Sequence, residues 1–557
     1  MNRKIILLFF IFVTLSFCSN DNSTNSRKAS NKTGNLFFSD WHQKKIEIPA
    51  NTVETALPAQ TSDVKISVDY SDKINKISPY FSGINATTYT GKYQNNAEII
   101  HKISQVQNGF IRFPGGDASN VYFFDGLPAD IPDKVLTHDG SWDNFHNGLE
   151  DVSWKMNTHD FYNFLTAVNS EGFITVNYAY ARYGLSDDPV SKAASHAADW
   201  VRFDNGRTKF WEIGNETYAC WEGGFRIDSN TNQDGQPEYI NGALYGQHFR
   251  VFADSMRAAA EKNGIDIYIG AVFADNDFIW DGSGRNITKT WNAQLAKELK
   301  REDGTNYADF ITVHSYFLDD SDDQPDEVID TYHDVEEMQN FVYGKLAAAG
   351  VADVPLVLSE WNVKSGKQTT QVGAMQAVAA QCQMQELGYG GSCYFAIKDY
   401  WRGNEGDFAM FAHEDPNFPE SGAYANFYHF YYLQTVLGDE MINTQVISDN
   451  NDIVAFATSY GKGGIGMVII NKSIRTHILE LDLQNFIPDG RLYWYEISRY
   501  NTNDLWSEKV IINGIANDLQ KGGPDIAIVP ARTAIAIQGA KLSVNGLSAI
   551  YIKIEGE

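Results

Sequence analysis

Trp211-Glu212-Ile213-Gly214-Asn215-Glu216 and Leu358-Ser359-Glu360-Trp361 decide how this chain is read. Each is a β-like run with a glutamate at or near its end. Two carboxylates held together can supply a proton donor and a nucleophile without metal or cofactor. The question is whether the chain builds a fold that brings Glu216 and Glu360 to one place.

Working outward from these runs, the pattern from about residue 80 alternates strand and helix. Strands are predicted over 80–88, 110–114, 173–179, 209–216, 267–274, 310–316, 356–360 and 392–397. Most are continuous apolar or β-branched runs, as parallel strands buried on both faces should be. Helical spacing is clearest over 159–171, where Phe161, Phe164, Leu165 and Val168 share a face, and over 244–263, 370–387 and 424–437. Eight strands alternating with helices predict an α/β fold, a (β/α)8 TIM barrel spanning 79–437. On this count Glu216 ends the fourth strand and Glu360 the seventh. The C-terminal strand ends of a barrel face one pocket, so the two would converge there.

After residue 438 short strands separated by Gly, Asn and Asp turns take over, at 453–459, 465–471, 476–483, 491–497, 533–538 and 549–554. That reads as a C-terminal antiparallel β-sandwich over 438–557. Residues 63–78, with a strand-like 64–70, precede the barrel and are expected to join it.

The N-terminal end of the chain differs from its body. Arg3 and Lys4 precede an apolar run, 5–17, too short to span a bilayer, and Cys18 closes it. Residues 1–18 resemble a bacterial lipoprotein signal, which implies lipidation of Cys18, an exported chain and an outer-membrane or cell-surface location. Residues 19–62 are polar and aperiodic and read as a tether.

Of 557 residues, 43% are hydrophobic and 21% charged, a globular balance, and the length calls for more than one domain. Lys and Arg number 44 against 71 Asp and Glu, a net charge of −27. Such a chain lacks the basic face that nucleic acid requires. Aromatics at 13% serve either a large core or the stacking of sugar rings. Without Cys18 the cysteines are Cys220, Cys382 and Cys393, an odd set that speaks against a disulfide framework and fits no zinc spacing. No cofactor or metal is expected. Asn230-x-Asn232-x-Asp234-Gly235 has calcium-loop spacing, but position twelve is Asn241 where a bidentate Glu belongs, so a polar turn is the other reading. The acidic run 319–323 reads as a solvated loop.

Assembled, these pieces resemble clan A of the retaining glycoside hydrolases, and within it the family 51 α-L-arabinofuranosidases, with family 39 next. The resemblance rests on Ile77-Ser78-Pro79 leading into Phe81-Ser82-Gly83-Ile84-Asn85, on Ile111-Arg112-Phe113-Pro114-Gly115-Gly116, on Ala198-Asp199-Trp200-Val201 ahead of the Asn215-Glu216 motif, and on Leu547-Ser548-Ala549-Ile550. Its organisation covers roughly 64–557. It implies that Glu216 is the acid/base and Glu360 the nucleophile, and that Asn215 bonds the sugar 2-hydroxyl. His314 and Tyr316 would orient nucleophile and ring, with Arg112 beside the nucleophile. Read as structural residues, Asn215 is a strand-end amide, His314 and Tyr316 are core, and Arg112 belongs to a buried ion pair. Trp361 and Trp401 are sugar platforms or barrel packing.

Two loops depart from the arabinofuranosidases: Asp117-Ala118-Ser119-Asn120 after the second strand, and Thr217-Tyr218-Ala219-Cys220-Trp221 after Glu216. Arg182, Lys364, Lys398 and Arg402 fall at or past strand ends, and suggest either an acidic sugar or ordinary ion pairing. The expected partner is a carbohydrate, a plant or algal polysaccharide or its oligosaccharides. The competing class is a catalytically silent carbohydrate-binding surface lipoprotein on the same fold.

Overall fold

A computed structural model describes residues 35–106, 109–136, 141–142, 145–278, 284–317, 323–352, 354–461, 463–517 and 521–556. The proposed signal with Cys18, the first part of the tether and most of the acidic run 319–323 lie outside the described residues.

Eight parallel strands close into a barrel: β1 (Gly83–Asn85), β2 (Phe110–Phe113), β3 (Glu171–Val176), β4 (Phe210–Ile213), β5 (Tyr268–Val272), β6 (Phe310–Phe317), β7 (Leu356–Val363) and β8 (Gly391–Tyr394). All eight overlap the predicted runs. The helices between them begin and end on local signals. Thr158–Val168 starts at a capping box made by Asn157 and Asp160 and stops at Asn169 in the left-handed conformation. Gly242–Asn263 starts at Asn241, whose side chain accepts from the Leu244 amide. Position twelve of the calcium-loop spacing is thus a helix cap. Inside the loop, Asn232 and Asp234 both accept from Gln236, and Asn230 donates to Asp228, so these side chains are engaged in a polar turn.

Strand alternation stacks the barrel interior in layers. Phe110, Phe173, Phe210, Phe310, Val357 and Cys393 form an apolar floor. Two residues further along five of these six strands the lining turns polar, with Arg112, Thr175, Glu212, Thr312 and Ser359 all buried. His314 and Tyr316 continue the β6 series toward the C-terminal end.

The floor is plugged from below. Phe37, fully buried, stacks on Phe210 at 5.2 Å and meets Phe310 edge-on at 5.7 Å. Around it Lys209 binds Asp40 at 2.8 Å and the Tyr80 hydroxyl donates to the same carboxylate. Thr52–Glu54 adds a strand to the second domain. The tether reading of 19–62 is therefore corrected from residue 35 on. Its polar composition hid a short apolar cluster around Phe37 and Trp41 and a short edge strand.

The second domain is an 11-stranded mixed sheet. Ile465–Asn471 shows why it is buried on both faces: Ile465, Met467 and Ile469 enter the sheet's own core, while Val468 and Ile470 enter the core shared with the barrel helices. Val64–Lys76 joins this sheet as expected. The purely antiparallel expectation is corrected, because Val64–Lys76 pairs parallel with His477–Gln484 and Thr52–Glu54 pairs parallel with Ala531–Ile535. Both parallel pairings come from chain that precedes the barrel. Cys220, Cys382 and Cys393 are buried, and none of them forms a disulfide among the described residues.

Candidate active site

Between β4 and Glu216 the chain makes a sharp turn. Gly214 has φ +84, and a Cβ there would meet Thr217 at 2.6 Å and Tyr178 at 2.8 Å, so only glycine fits. Glu216 itself holds φ +38, an uncommon conformation for a side-chain-bearing residue. On β7 a bulge opposite Val313 and His314 interrupts the alternation. It lets both Ser359 and Glu360 face inward, and it turns Trp361 outward.

One oxygen of Glu216, one of Glu360 and one ring nitrogen of His314 all lie within 4.8 Å of one another. Arg112 ties this group to the polar layer. Its Nε and Nη2 reach Glu212 at 2.9 and 2.8 Å, and its Nη1 reaches Glu360 at 3.0 Å and Asn85 at 2.8 Å. Its Nη2 also donates to Asn215 Oδ1 at 2.7 Å. Tyr316 donates to the other oxygen of Glu360 at 2.7 Å. Asn215 in turn donates to the buried Glu222 at 2.8 Å. The Glu216–His314–Glu360 spacing could also hold a metal ion, but a guanidinium 3.0 Å from Glu360 already supplies positive charge there.

A relay fixes the His314 proton. Ser359 Oγ donates to Glu212 at 2.9 Å, so it accepts from His314 Nε2 at 3.1 Å. The other nitrogen, Nδ1, faces Glu216 Oε1 at 3.1 Å. With Nε2 protonated, that contact needs one more proton, carried by His314 or by Glu216 as a coupled pair. Burial would lower His314, but the charge of Glu360 and the bonds to Glu212 and Glu216 push it up to about 9. Burial raises Glu216, yet the bond and charge of His314 outweigh it and hold the carboxyl below its usual value. Glu360 lies above its usual value, chiefly through burial, against the pull of His314 and Arg112. The two carboxylates therefore sit in unlike fields, and the Glu216–His314 pair holds a proton at neutral pH.

The structure brings Arg112, Asn215, Glu216, His314, Tyr316 and Glu360 together at the C-terminal end of the barrel. Trp361 is not with them. It is 1% exposed and packs against Tyr394, Phe430 and Phe317 on the helix side of β7, which makes it barrel packing. Trp401 is half-buried on the loop after β8. Of the four cations, Arg182 is buried on the carbonyls of Gly224, Pro237 and Glu238, Lys398 pairs with Glu420, and Arg402 pairs with Asp399 at 2.7 Å. Lys364 is half-buried just past β7. Ordinary pairing accounts for most of that cluster.

Sequence reasoning missed several participants, Ser359 and Asn85 among them. Glu212 stands inside a quoted motif, and a charged residue in an apolar strand was the available signal. Glu222 carried no signal. Trp221, whose indole donates to Glu216 Oε2 at 2.7 Å, was noted only as part of a departing loop. Asp117 is exposed in the turn after β2, yet desolvation of its carboxyl by surrounding protein, and then the Glu360 charge, push it up to about 6.

No family model matches the chain, and no curated protein matches it in sequence. Solved structures do share its fold. An α-L-arabinofuranosidase from Thermotoga maritima, in complex with arabinose, superposes with a TM-score of 0.62 at 14% identity, over 88% of this chain and 100% of that one. A family 51 α-L-arabinofuranosidase from Bifidobacterium longum gives 0.62 at 14% over 89% and 100%. A family 44 xyloglucanase from Paenibacillus polymyxa, with xyloglucan, gives 0.56 at 11% over 88% and 99%. At these identities the likeness is one of architecture, a closed barrel joined to a β-sheet domain spanning the whole length of the neighbours.

Proposed function

We propose that the chain is a retaining O-glycoside hydrolase, with Glu216 as acid/base and Glu360 as nucleophile. The observation that carries this reading is the approach of the two carboxylates, with oxygens within 4.8 Å across the barrel mouth. Retaining enzymes hold their carboxyls about 5–5.5 Å apart, whereas inverting ones leave about 6.5–9.5 Å for a water.

In the first step a Glu360 oxygen bonds the anomeric carbon as the glycosidic C–O bond breaks. The proton held between Glu216 and His314 passes through Glu216 to the leaving oxygen. Arg112 and Tyr316 hold the attacking carboxylate in place. In the second step Glu216 takes a proton from water, the water oxygen bonds the anomeric carbon, and Glu360 leaves. His314 accepts part of the returning charge through Nδ1, and its Nε2 stays bonded to Ser359.

The substrate in this reading is a plant or algal polysaccharide or its oligosaccharides. Exposed aromatics around the cleft support it, with Tyr400 39% exposed and stacked on Tyr89 at 5.7 Å, and Trp221 beside Glu216. Paired cations favour a neutral sugar over a uronide or sulfated one. By its N-terminal pattern the enzyme works outside the cell, attached to lipid through Cys18.

A screen of aryl glycosides and polysaccharides tests the reading, with Glu360→Ala as the control. Wild type should hydrolyse at least one substrate with the first-formed anomer retained by NMR, and Glu360→Ala should not. An inverted product, or sugar binding without hydrolysis by wild type, sinks it.

A further inference from the structure

The turn from Thr217 to Glu222 buries every side chain but one. Thr217, Tyr218, Ala219, Cys220 and Glu222 are all buried, and Trp221 is 44% exposed. The turn is tight: the Ala219 amide donates to the Glu216 carbonyl at 2.6 Å and the Glu222 amide to the Ala219 carbonyl at 3.2 Å. It is pinned on both sides, by Tyr218 edge-on to Trp291 and by Glu222 under Asn120 and Asn215. Fixed this way, the chain returns the indole over Glu216, with Nε1 2.7 Å from Oε2. His314 takes the other oxygen, Oε1. An indole N–H can only donate, so this contact is stronger when Glu216 is ionised.

We propose that Trp221 is a positioning residue for Glu216, and that its exposed ring is the platform on which the ring face of the leaving sugar stacks. The proposal rests on the glycosidase reading and assigns a substrate class within it, a glycan whose leaving side is itself a sugar ring. An acid/base faces the leaving-group oxygen by the chemistry of its step, so a ring bonded to that carboxylate lies on the leaving side of the cleft. One residue then does two things. Its N–H fixes the carboxylate rotamer, and its face holds the unit that receives the proton. The Trp221 bond is also one of the contacts that keep Glu216 below its usual value, after those of His314.

Two measurements separate this proposal from the reading it rests on. The first needs no substrate. In protein labelled with 15N-tryptophan, the Trp221 indole signal, identified by its loss in Trp221→Phe, should move with pH. That movement should vanish in Glu216→Gln. An indole signal that titrates identically in wild type and Glu216→Gln overturns the proposal. The second uses whichever oligosaccharide the wild type hydrolyses, together with the glycosyl fluoride of the same sugar, which has no leaving sugar. Trp221→Ala should raise KM for the oligosaccharide about tenfold and leave KM for the fluoride within twofold. Trp221→Phe keeps a ring but loses the donor. It should hold KM near wild type while moving the alkaline limb of kcat/KM to higher pH. Equal KM and equal limbs in all three proteins overturn the proposal while leaving the glycosidase reading standing. A wild type that turns over nothing, with an indole that still tracks Glu216, removes the glycosidase reading and the platform with it, and keeps the coupling of Trp221 to Glu216.

Discussion

Arg112 and Glu212 form a fully buried ion pair, and the same guanidinium reaches on to Glu360. Glu212 thus sets where the positive charge next to Glu360 lies. Thr175 and Ser359 also donate to Glu212, and the charge of Arg112, followed by His314, holds its carboxyl far below the usual range against burial.

Breaking that pair leaves an uncompensated charge in the barrel. Glu212→Gln should cost about 3–5 kcal/mol of stability, read from denaturant unfolding. It should also release Arg112 toward Glu360 and move the acid limb of kcat/KM to lower pH. A variant as stable as wild type with an unmoved limb would show that Arg112 is held by Asn85 and Asn215 alone.

His314 links stability to pH. Its folded value of about 9 lies above the ordinary value of about 6.5. The proton it gains on folding stabilises the fold fully below about pH 6.5, and this contribution is lost as pH rises through about 9. The stability gap between wild type and His314→Gln should therefore narrow between pH 6.5 and 9.5, as measured by thermal unfolding at each pH.

Asp407 acts in the same direction by a different route. Burial, and then the charge of Asp399, push its carboxyl up to about 8, and one of its oxygens is buried without a hydrogen-bond partner. A carboxyl raised on folding favours the fold below its unfolded value near 4 and loses that contribution as pH rises through about 8. Asp407→Asn should be more stable than wild type above pH 8, by on the order of 1–3 kcal/mol, with the difference fading below pH 5.

Phe37 predicts a separation of stability from activity. Phe37→Ala empties a site lined by Phe210, Phe310, Phe110 and Tyr80. It should cost about 3–5 kcal/mol. The folded fraction should keep its kcat, because the floor lies at the opposite end of the barrel from Glu216.

The eight strands were legible because parallel strands buried on both faces read as apolar runs, and Phe310–Phe317 and Leu356–Val363 hold that pattern almost unbroken. The two glutamates were legible from strand count. Which way a side chain points was harder to read. Strict alternation places Ser359 and Trp361 on one face, and the bulge that sends Glu360 inward and Trp361 outward leaves no mark in composition. Phe37 was lost for a related reason, since a three-residue apolar cluster in a polar stretch is too short to show a period. Trp221 became meaningful only once the turn after Gly214 had returned it over Glu216.

Phe37 also sets a direction. The first described residues, Asn35–Phe38, lie beneath the floor, on the side away from Glu216 and Glu360. The described start of the chain and the two carboxylates therefore occupy opposite ends of one barrel. A substrate can approach the carboxylates without displacing Phe37, and a load carried at the floor does not crowd the cleft.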